Sequence, residues 1–209
     1  MKRIIASALV LCGIYMVATA QGISSLEQLC AKMAENSATL NYSFTLSVSG
    51  VKTVGDGVLY VQDQSYVMQG NGLKIYCNGS TVWLVDEAGK EVMIESVSQE
   101  ADSYLSNPVL LLANIETIFS VSAPTSSGSS LTYKLTPKCD CGISSGVVTL
   151  GAAGGSSYVF SSGTFKMADG GQLDVKIKSM TFSAKKPLTF YVLDLSVFDS
   201  SWMITDLRQ

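Results

Sequence analysis

The sequence predicts a mainly β fold with helices (α+β), built on one large antiparallel sheet of about ten strands. Three observations carry this. From Leu40 to Val48 apolar residues alternate with Asn41, Ser43, Thr45 and Ser47, the period-two pattern of a half-buried strand. Turn-forming residues then recur about every eight to twelve positions, which suits an antiparallel meander rather than βαβ units. Two stretches carry a helical period instead, one before the first strand and one between later strands.

The chain opens with Lys2 and Arg3, an apolar run from Ile4 to Val17, and Ala18-Thr19-Ala20, the layout of a secretory signal peptide. Cys12 follows Leu9-Val10-Leu11, but Leu11 is too large for the small residue expected before a lipidated cysteine. Cleavage is therefore expected after Ala20, giving an exported, soluble product of one domain, residues 21–209. The mature chain begins with a helix in which Leu26, Leu29, Cys30, Met33 and Ala34 make one apolar stripe, ending near Asn36-Ser37. Strands follow at Leu40–Ser49, Val58–Gln62, Ser65–Gln69, Leu73–Cys77, Thr81–Asp86 and Glu91–Val97. Asn78-Gly79 is read as a type I′ turn and Ala88-Gly89-Lys90 as the next reversal. Within Thr81–Asp86 both faces are apolar, Trp83 and Val85 on one and Val82 and Leu84 on the other, where a sheet with one wet face would alternate.

Asn107-Pro108 starts a second helix that continues through Leu110, Leu111, Ile115 and Phe119. It is apolar over most of its circumference and calls for cover on several sides. Ala123 to Ser130 reads as a polar loop. The last strands are placed at Leu131–Thr136, Gly146–Gly151, Tyr158–Met167, Leu173–Phe182 and Leu188–Val197.

Composition narrows the chemistry. The chain of 209 residues has no histidine, which excludes Ser-His-Asp and Cys-His catalysis and every histidine-containing zinc site. Loss of Lys2 and Arg3 takes the formal net charge from −3 to −5 and leaves Arg208 as the one arginine, so no nucleic-acid footprint exists. Cys30, Cys77, Cys139 and Cys141 remain after cleavage. They allow three pairings, or a four-thiolate zinc site whose paired spacing Cys30 and Cys77 do not show; buried or paired structural cysteines are the expectation. No G-x-S-x-G or H-E-x-x-H pattern occurs. Asp194 and Asp199 are candidate catalytic carboxylates, but they fall where strand ends and turns carry solvated charge. The expectation is a protein that is not an enzyme and needs no cofactor or metal.

A sheet of this kind buries its apolar surface either against a second sheet or by curling around its helices. Here the chain resembles the periplasmic outer-membrane lipoprotein carriers of the LolA type. The likeness lies in a succession of segments: the first helix, NYSFTLSVSG, GDGVLYVQDQSYVM, CNGSTVWLVDEAGKEVMI, NPVLLLANI, LTYKLTPK, FKMADGGQLDVKIKSMTF and WMITDLR. The resemblance implies an incomplete antiparallel β-barrel wrapped around a helical lid or plug. Its hydrophobic cavity would take the acyl chains of a lipoprotein or lipid. It also implies a monomer that exchanges cargo with an inner-membrane releasing complex and an outer-membrane receptor. The expected cavity and lid residues are Tyr42, Phe44, Leu46, Tyr60, Met68, Trp83, Val85, Met93, Leu110, Leu111, Ile115 and Phe119. Met167 and Met180 are further adaptable linings. One departure stands out. The family's early-strand arginine, which latches the lid, has no counterpart here, and Lys52 lacks the guanidinium's planar fork. This leaves a related module for another hydrophobic ligand, or a sensor of lipoproteins, as the alternative.

Overall fold

The computed structural model describes residues 25–97, 115–155 and 157–208. The expected signal peptide and most of the second helix, Leu110 and Leu111 included, lie outside the described residues.

Residues 25–35 form a helix, α1, on the expected stripe: Leu26 and Leu29 are buried, Cys30 and Met33 half-buried, and Ala34 faces solvent. The Asn36 side-chain amide closes it by donating to the Lys32 carbonyl at 2.9 Å. The strands are β1 (Ser37–Val48), β2 (Val51–Gln62), β3 (Ser65–Gly70), β4 (Leu73–Cys77), β5 (Thr81–Asp86) and β6 (Glu91–Ser96). After the short helix α2 (Ile115–Ile118) come β7 (Phe119–Val121), β8 (Thr125–Ser127), β9 (Ser130–Pro137), β10 (Ile143–Gly154), β11 (Ser157–Met167), β12 (Gln172–Ser183) and β13 (Met203–Asp206).

Among the described residues the strands make one open, curled sheet of 13, where about ten were expected. The order is β13-β6-β5-β4-β3-β2-β1-β12-β11-β10-β9-β7, with β8 beside β9. Every pairing is antiparallel except β13 with β6, because the chain crosses the sheet before β13 and arrives from the other end. The loop expected over Ala123–Ser130 contains β8, which extends the β9 edge.

Turn chemistry explains the hairpins. Ser49-Gly50 and Asn71-Gly72 have positive φ at both residues, 50° and 81° and then 53° and 78°, the type I′ pattern. At Asn78-Gly79 only Gly79 is left-handed (φ 92°). There the Asn78 carbonyl oxygen Oδ1 accepts from the Ser80 and Thr81 amides at 3.0 and 2.8 Å, so the reversal is an Asx turn and not the expected type I′.

The segment expected as a strand over Leu188–Val197 is instead two 3₁₀ turns, Leu188–Tyr191 and Leu195–Val197. Its alternation is strand-like, but local hydrogen bonding wins. Asp194 Oδ1 accepts from the amide and hydroxyl of Ser196 at 2.9 and 2.7 Å, and Asp199 Oδ1 does the same with Ser201 at 2.8 and 2.5 Å. Residues 187–202 thus form a strap across one face of the sheet.

Two bulges keep apolar residues on one face. Opposite β1 the register passes from Ser179 to Ile177 in one step, so Lys178 is extra. Leu173, Val175 and Ile177 therefore share a face with Met180 and Phe182 despite the change of parity. Ser161 does the same between Phe160 and Phe165.

Candidate functional site

The sheet has two apolar faces, each with its own cover, and this resolves the puzzle of Thr81–Asp86. On the strap side, Trp83, Val85, Val92 and Ile94 are buried against Leu193, Leu195, Phe198 and Trp202. On the helix side, Leu26, Leu29, Ile115, Ile118 and Phe119 join Tyr133, Leu135, Val148, Leu150 and Phe165 in the main core. A second cluster of Ala38, Leu40, Leu59, Val61, Tyr66 and Cys77 lies on the same side. Met33, Ile177, Met180 and Phe182 pack against both.

The cross-strand register runs one apolar row across the helix-side face: Met180, Leu40, Leu59, Met68, Ile75, Leu84 and Met93. Six strand spacings make it roughly 29 Å long. From Leu40 outward burial falls along it, Met180 at the other end being half-buried. Leu40 and Leu59 are 2% and 5% exposed, Met68, Ile75 and Leu84 are half-buried, and Met93 is 38% exposed. Val82 and Tyr66 flank the row on one side and Leu73, 41% exposed, on the other. Glu91 and Glu95 stand on either side of Met93 on the same face of β6, so the open end is acid-rimmed. Among the described residues no buried side-chain nitrogen or oxygen lacks a hydrogen bond. The row therefore offers a strip of apolar surface with few specific polar contacts.

Tyr42 and Phe44 continue this face along β1, lying over glycines. A Cβ on Gly57 would meet the Tyr42 hydroxyl at 3.0 Å, and one on Gly55 would strike the Phe44 ring. Burial, and secondarily the charge of Asp56, push the Tyr42 hydroxyl above its ordinary pKa.

The expected site residues thus divide. Tyr42, Phe44, Leu46, Met68 and Met93 share the helix-side face and are half-buried or exposed. Ile115 and Phe119 share that side but are 2% and 0% exposed, packed into the main core. Trp83 and Val85 turn to the strap because the odd-numbered residues of β5 face that way. Tyr60 is also on the strap side, edge-on to Phe190 at 5.5 Å with Lys186 Nζ over the Phe190 ring at 4.7 Å. The row members Leu40, Leu59, Ile75 and Leu84 were not among the expected site residues. The type I′ turn at Asn71-Gly72 carried the signal, since it sets Met68 opposite Ile75 by counting.

The strap is tied by a buried amide. Gln62, 3% exposed, accepts from the Lys186 amide at 2.7 Å and donates to the Lys186 carbonyl at 3.1 Å. Tyr191, fully buried, shares a hydrogen bond with Ser37 at 3.2 Å. Arg208 pairs with Asp206 through Nε at 2.9 Å and through Nη2 at 2.5 Å, so it is engaged locally at the end of β13.

Asp194 and Asp199 are exposed turn caps whose serine hydrogen bonds hold their carboxyls below the usual range. No group of three or more His, Cys, Asp or Glu side chains is placed to hold a metal among the described residues. Cys77 is buried, its Sγ accepting from the Gly79 amide at 3.4 Å, and burial pushes its thiol pKa up. Cys141 is buried beside Ile143 while Cys139 is exposed. No helix among the described residues is long and apolar enough to cross a membrane.

No protein-family model matches the chain, and the comparison with curated proteins finds no match. Among solved structures it is similar to a LolA superfamily protein of Nitrosomonas europaea, at 11% identity over 82% of this chain and 97% of the other, TM-score 0.47. It is likewise similar to a DUF1329 family protein of Desulfovibrio piger, at 9% identity over 87% and 99%, TM-score 0.47. The lipoprotein LppX of Mycobacterium tuberculosis follows at 12% identity over 82% and 98%, TM-score 0.40. Likenesses at these scores carry no functional weight; the faces of the sheet do.

Proposed function

We propose that the protein binds acyl chains on its helix-side face and works as a non-enzymatic carrier of acylated cargo, lipoprotein or lipid. It would act in the periplasm after export and removal of residues 1–20. The observation that carries this reading is the apolar row whose outer members, Met68, Ile75, Leu84 and Met93, stay partly open in register with a buried inner end. Each methylene transferred from water to such a surface is worth about 0.8 kcal/mol, so a chain laid along even half the row binds appreciably. Two methionines at open positions suit ligands of varied shape. The carboxylates of Glu91 and Glu95 favour a neutral or cationic head over a free carboxylate, which points to ester- or amide-linked acyl groups. Release to an outer-membrane receptor, and loading from an inner-membrane complex, complete the reading that the sequence resemblance implies.

Arg208 is engaged with Asp206 and no other arginine exists in the mature chain, so closure of the site does not use the family's arginine latch. That difference favours a second reading, a related module for another hydrophobic ligand, which the same experiment separates. A fluorescent acyl ester and its free acid are titrated into the mature protein at pH 7. Saturable binding near one to one, tighter for the ester, is expected. Absence of any saturable acyl binding would overturn the assignment of the face.

A further inference from the structure

The β1–β2 hairpin carries the helix-side face beyond the strands that support it. β12 accompanies β1 only as far as Ser47, opposite Gln172, and β3 accompanies β2 only from Gly57, opposite Gly70. The tip between them pairs with itself alone, Val48 against Val51. Along β1 every residue of this face is apolar: Ala38, Leu40, Tyr42, Phe44, Leu46 and Val48. Exposure climbs from 0% at Ala38 and 2% at Leu40 to 37% at Val48 and 68% at Val51. Val54, on the other face of the tip, is 70% exposed. The type I′ turn at Ser49-Gly50 keeps the tip narrow and rigid. Between Asn41 and Gly55 the only charged residue is Lys52.

Val48 and Val51 at the end of a projecting hairpin, with Val54 three residues behind in register with Thr45, are too few for a specific protein interface, which uses roughly 20–30 residues a side. A lipid bilayer needs no such area. A small aliphatic wedge enters the headgroup boundary, and a neighbouring lysine meets anionic headgroups. We propose that the β1–β2 tip, through Val48, Val51, Val54 and Lys52, is a contact site for an anionic bilayer. The apolar column of β1 then ends in hydrocarbon, giving acyl chains a continuous path onto the row. That purpose rests on the acyl-binding reading, whereas the contact itself does not.

The test is flotation of the mature protein with vesicles of phosphatidylcholine and phosphatidylglycerol. The wild type is compared with the double variant Val51→Asp/Val54→Asp, with Lys52→Gln, and with Leu188→Asp at an exposed strap residue. The wild type is expected to float. The double variant should lose about a hundredfold in partitioning, about tenfold for each valine withdrawn from hydrocarbon. Lys52→Gln should lose severalfold on anionic vesicles and nothing on neutral ones, and Leu188→Asp should stay within twofold. Because the tip is exposed, circular dichroism of all variants should match the wild type. As an independent readout, Val51→Trp should be quenched by brominated lipid beyond the background of Trp83 and Trp202. A wild type that does not float, a double variant that floats equally, or loss of flotation in Leu188→Asp instead would overturn the proposal. Acyl-ester binding in solution is measured in parallel and should survive in the double variant. If no protein binds the ester while flotation behaves as expected, the acyl-binding reading fails and the bilayer contact stands.

Discussion

Leu84 and Trp83 are neighbours on β5 that face opposite covers, so replacing each with alanine should move different observables. Leu84 is half-buried on the helix-side row, between Ile75 and Met93. Leu84→Ala removes methyl and methine groups worth about 0.8 kcal/mol each when fully buried. About half of that is realised in the empty protein and the rest only when a ligand covers the row. Stability should therefore fall by about 1 kcal/mol, and acyl affinity by about 1–1.5 kcal/mol, close to tenfold in Kd. Trp83 is 6% exposed under Leu193, Leu195, Phe198 and Trp202. Trp83→Ala leaves a large void and should cost about 3–5 kcal/mol of stability, with acyl affinity in the folded fraction within twofold of wild type. Urea unfolding followed by circular dichroism reads the first quantity, and displacement of a fluorescent acyl ester reads the second. A Leu84→Ala protein with wild-type affinity, beside a folded Trp83→Ala protein that has lost binding, would refute the assignment of the faces.

Further predictions concern the strap, the glycines and pH. Gln62→Leu leaves the Lys186 amide and carbonyl without their buried partner and should cost about 1–3 kcal/mol in urea unfolding; a loss below about 0.5 kcal/mol would show that the strap is held by packing alone. Gly57→Ala drives a Cβ to 2.2 Å from the Gln69 carbonyl oxygen, a backbone atom that cannot swing aside. Its expected cost is about 2 kcal/mol or more, and an unchanged melting midpoint would contradict the close approach of β2 and β3. The Asp206 carboxyl is held at about 2 by hydrogen bonds from Arg208. A depressed carboxyl contributes stability that is present above the unfolded value near 4. The protection of the β13 amides, taken relative to the unfolded-chain exchange rate at each pH, should therefore fall only as pH drops from about 4 towards 2, and Asp206→Asn should remove that fall. Burial pushes the Tyr133 hydroxyl up to about 12. Stability should be flat with respect to this group below about pH 10 and decline between 10 and 12, as the unfolded tyrosine ionises first. Spectrophotometric titration would find several late-ionising tyrosines, because burial also raises Tyr42, Tyr66 and Tyr191, and one fewer in Tyr133→Phe.

Much of the fold was legible where the deciding interactions are local. The stripe of α1, the alternation of β1 and the meander to β6 follow from residues a few positions apart, and the hairpin turns set which residues pair. What escaped depends on partners distant in sequence. Nothing within Thr81–Asp86 says which of its two apolar sets meets residues 193–202, so the cover of Trp83 and Val85 is not decided by the strand's own sequence. Leu188–Val197 carries a strand-like pattern, but backbone turns after Pro187 and the capping of Ser196 by Asp194 turn it into 3₁₀ structure. The bulges at Lys178 and Ser161 switch parity mid-strand, which hides a continuous apolar face from a simple count of alternation. The row from Leu40 to Met93 is a property of register across the sheet, and no single strand displays it.

The most direct test of the central claim is mass spectrometry of the mature protein, purified natively from its own envelope and then extracted with solvent. An acylated molecule, a lipoprotein or an ester- or amide-linked lipid, is expected to be bound near one to one. A protein that emerges empty, and that takes up no acyl ester when one is supplied, would contradict it.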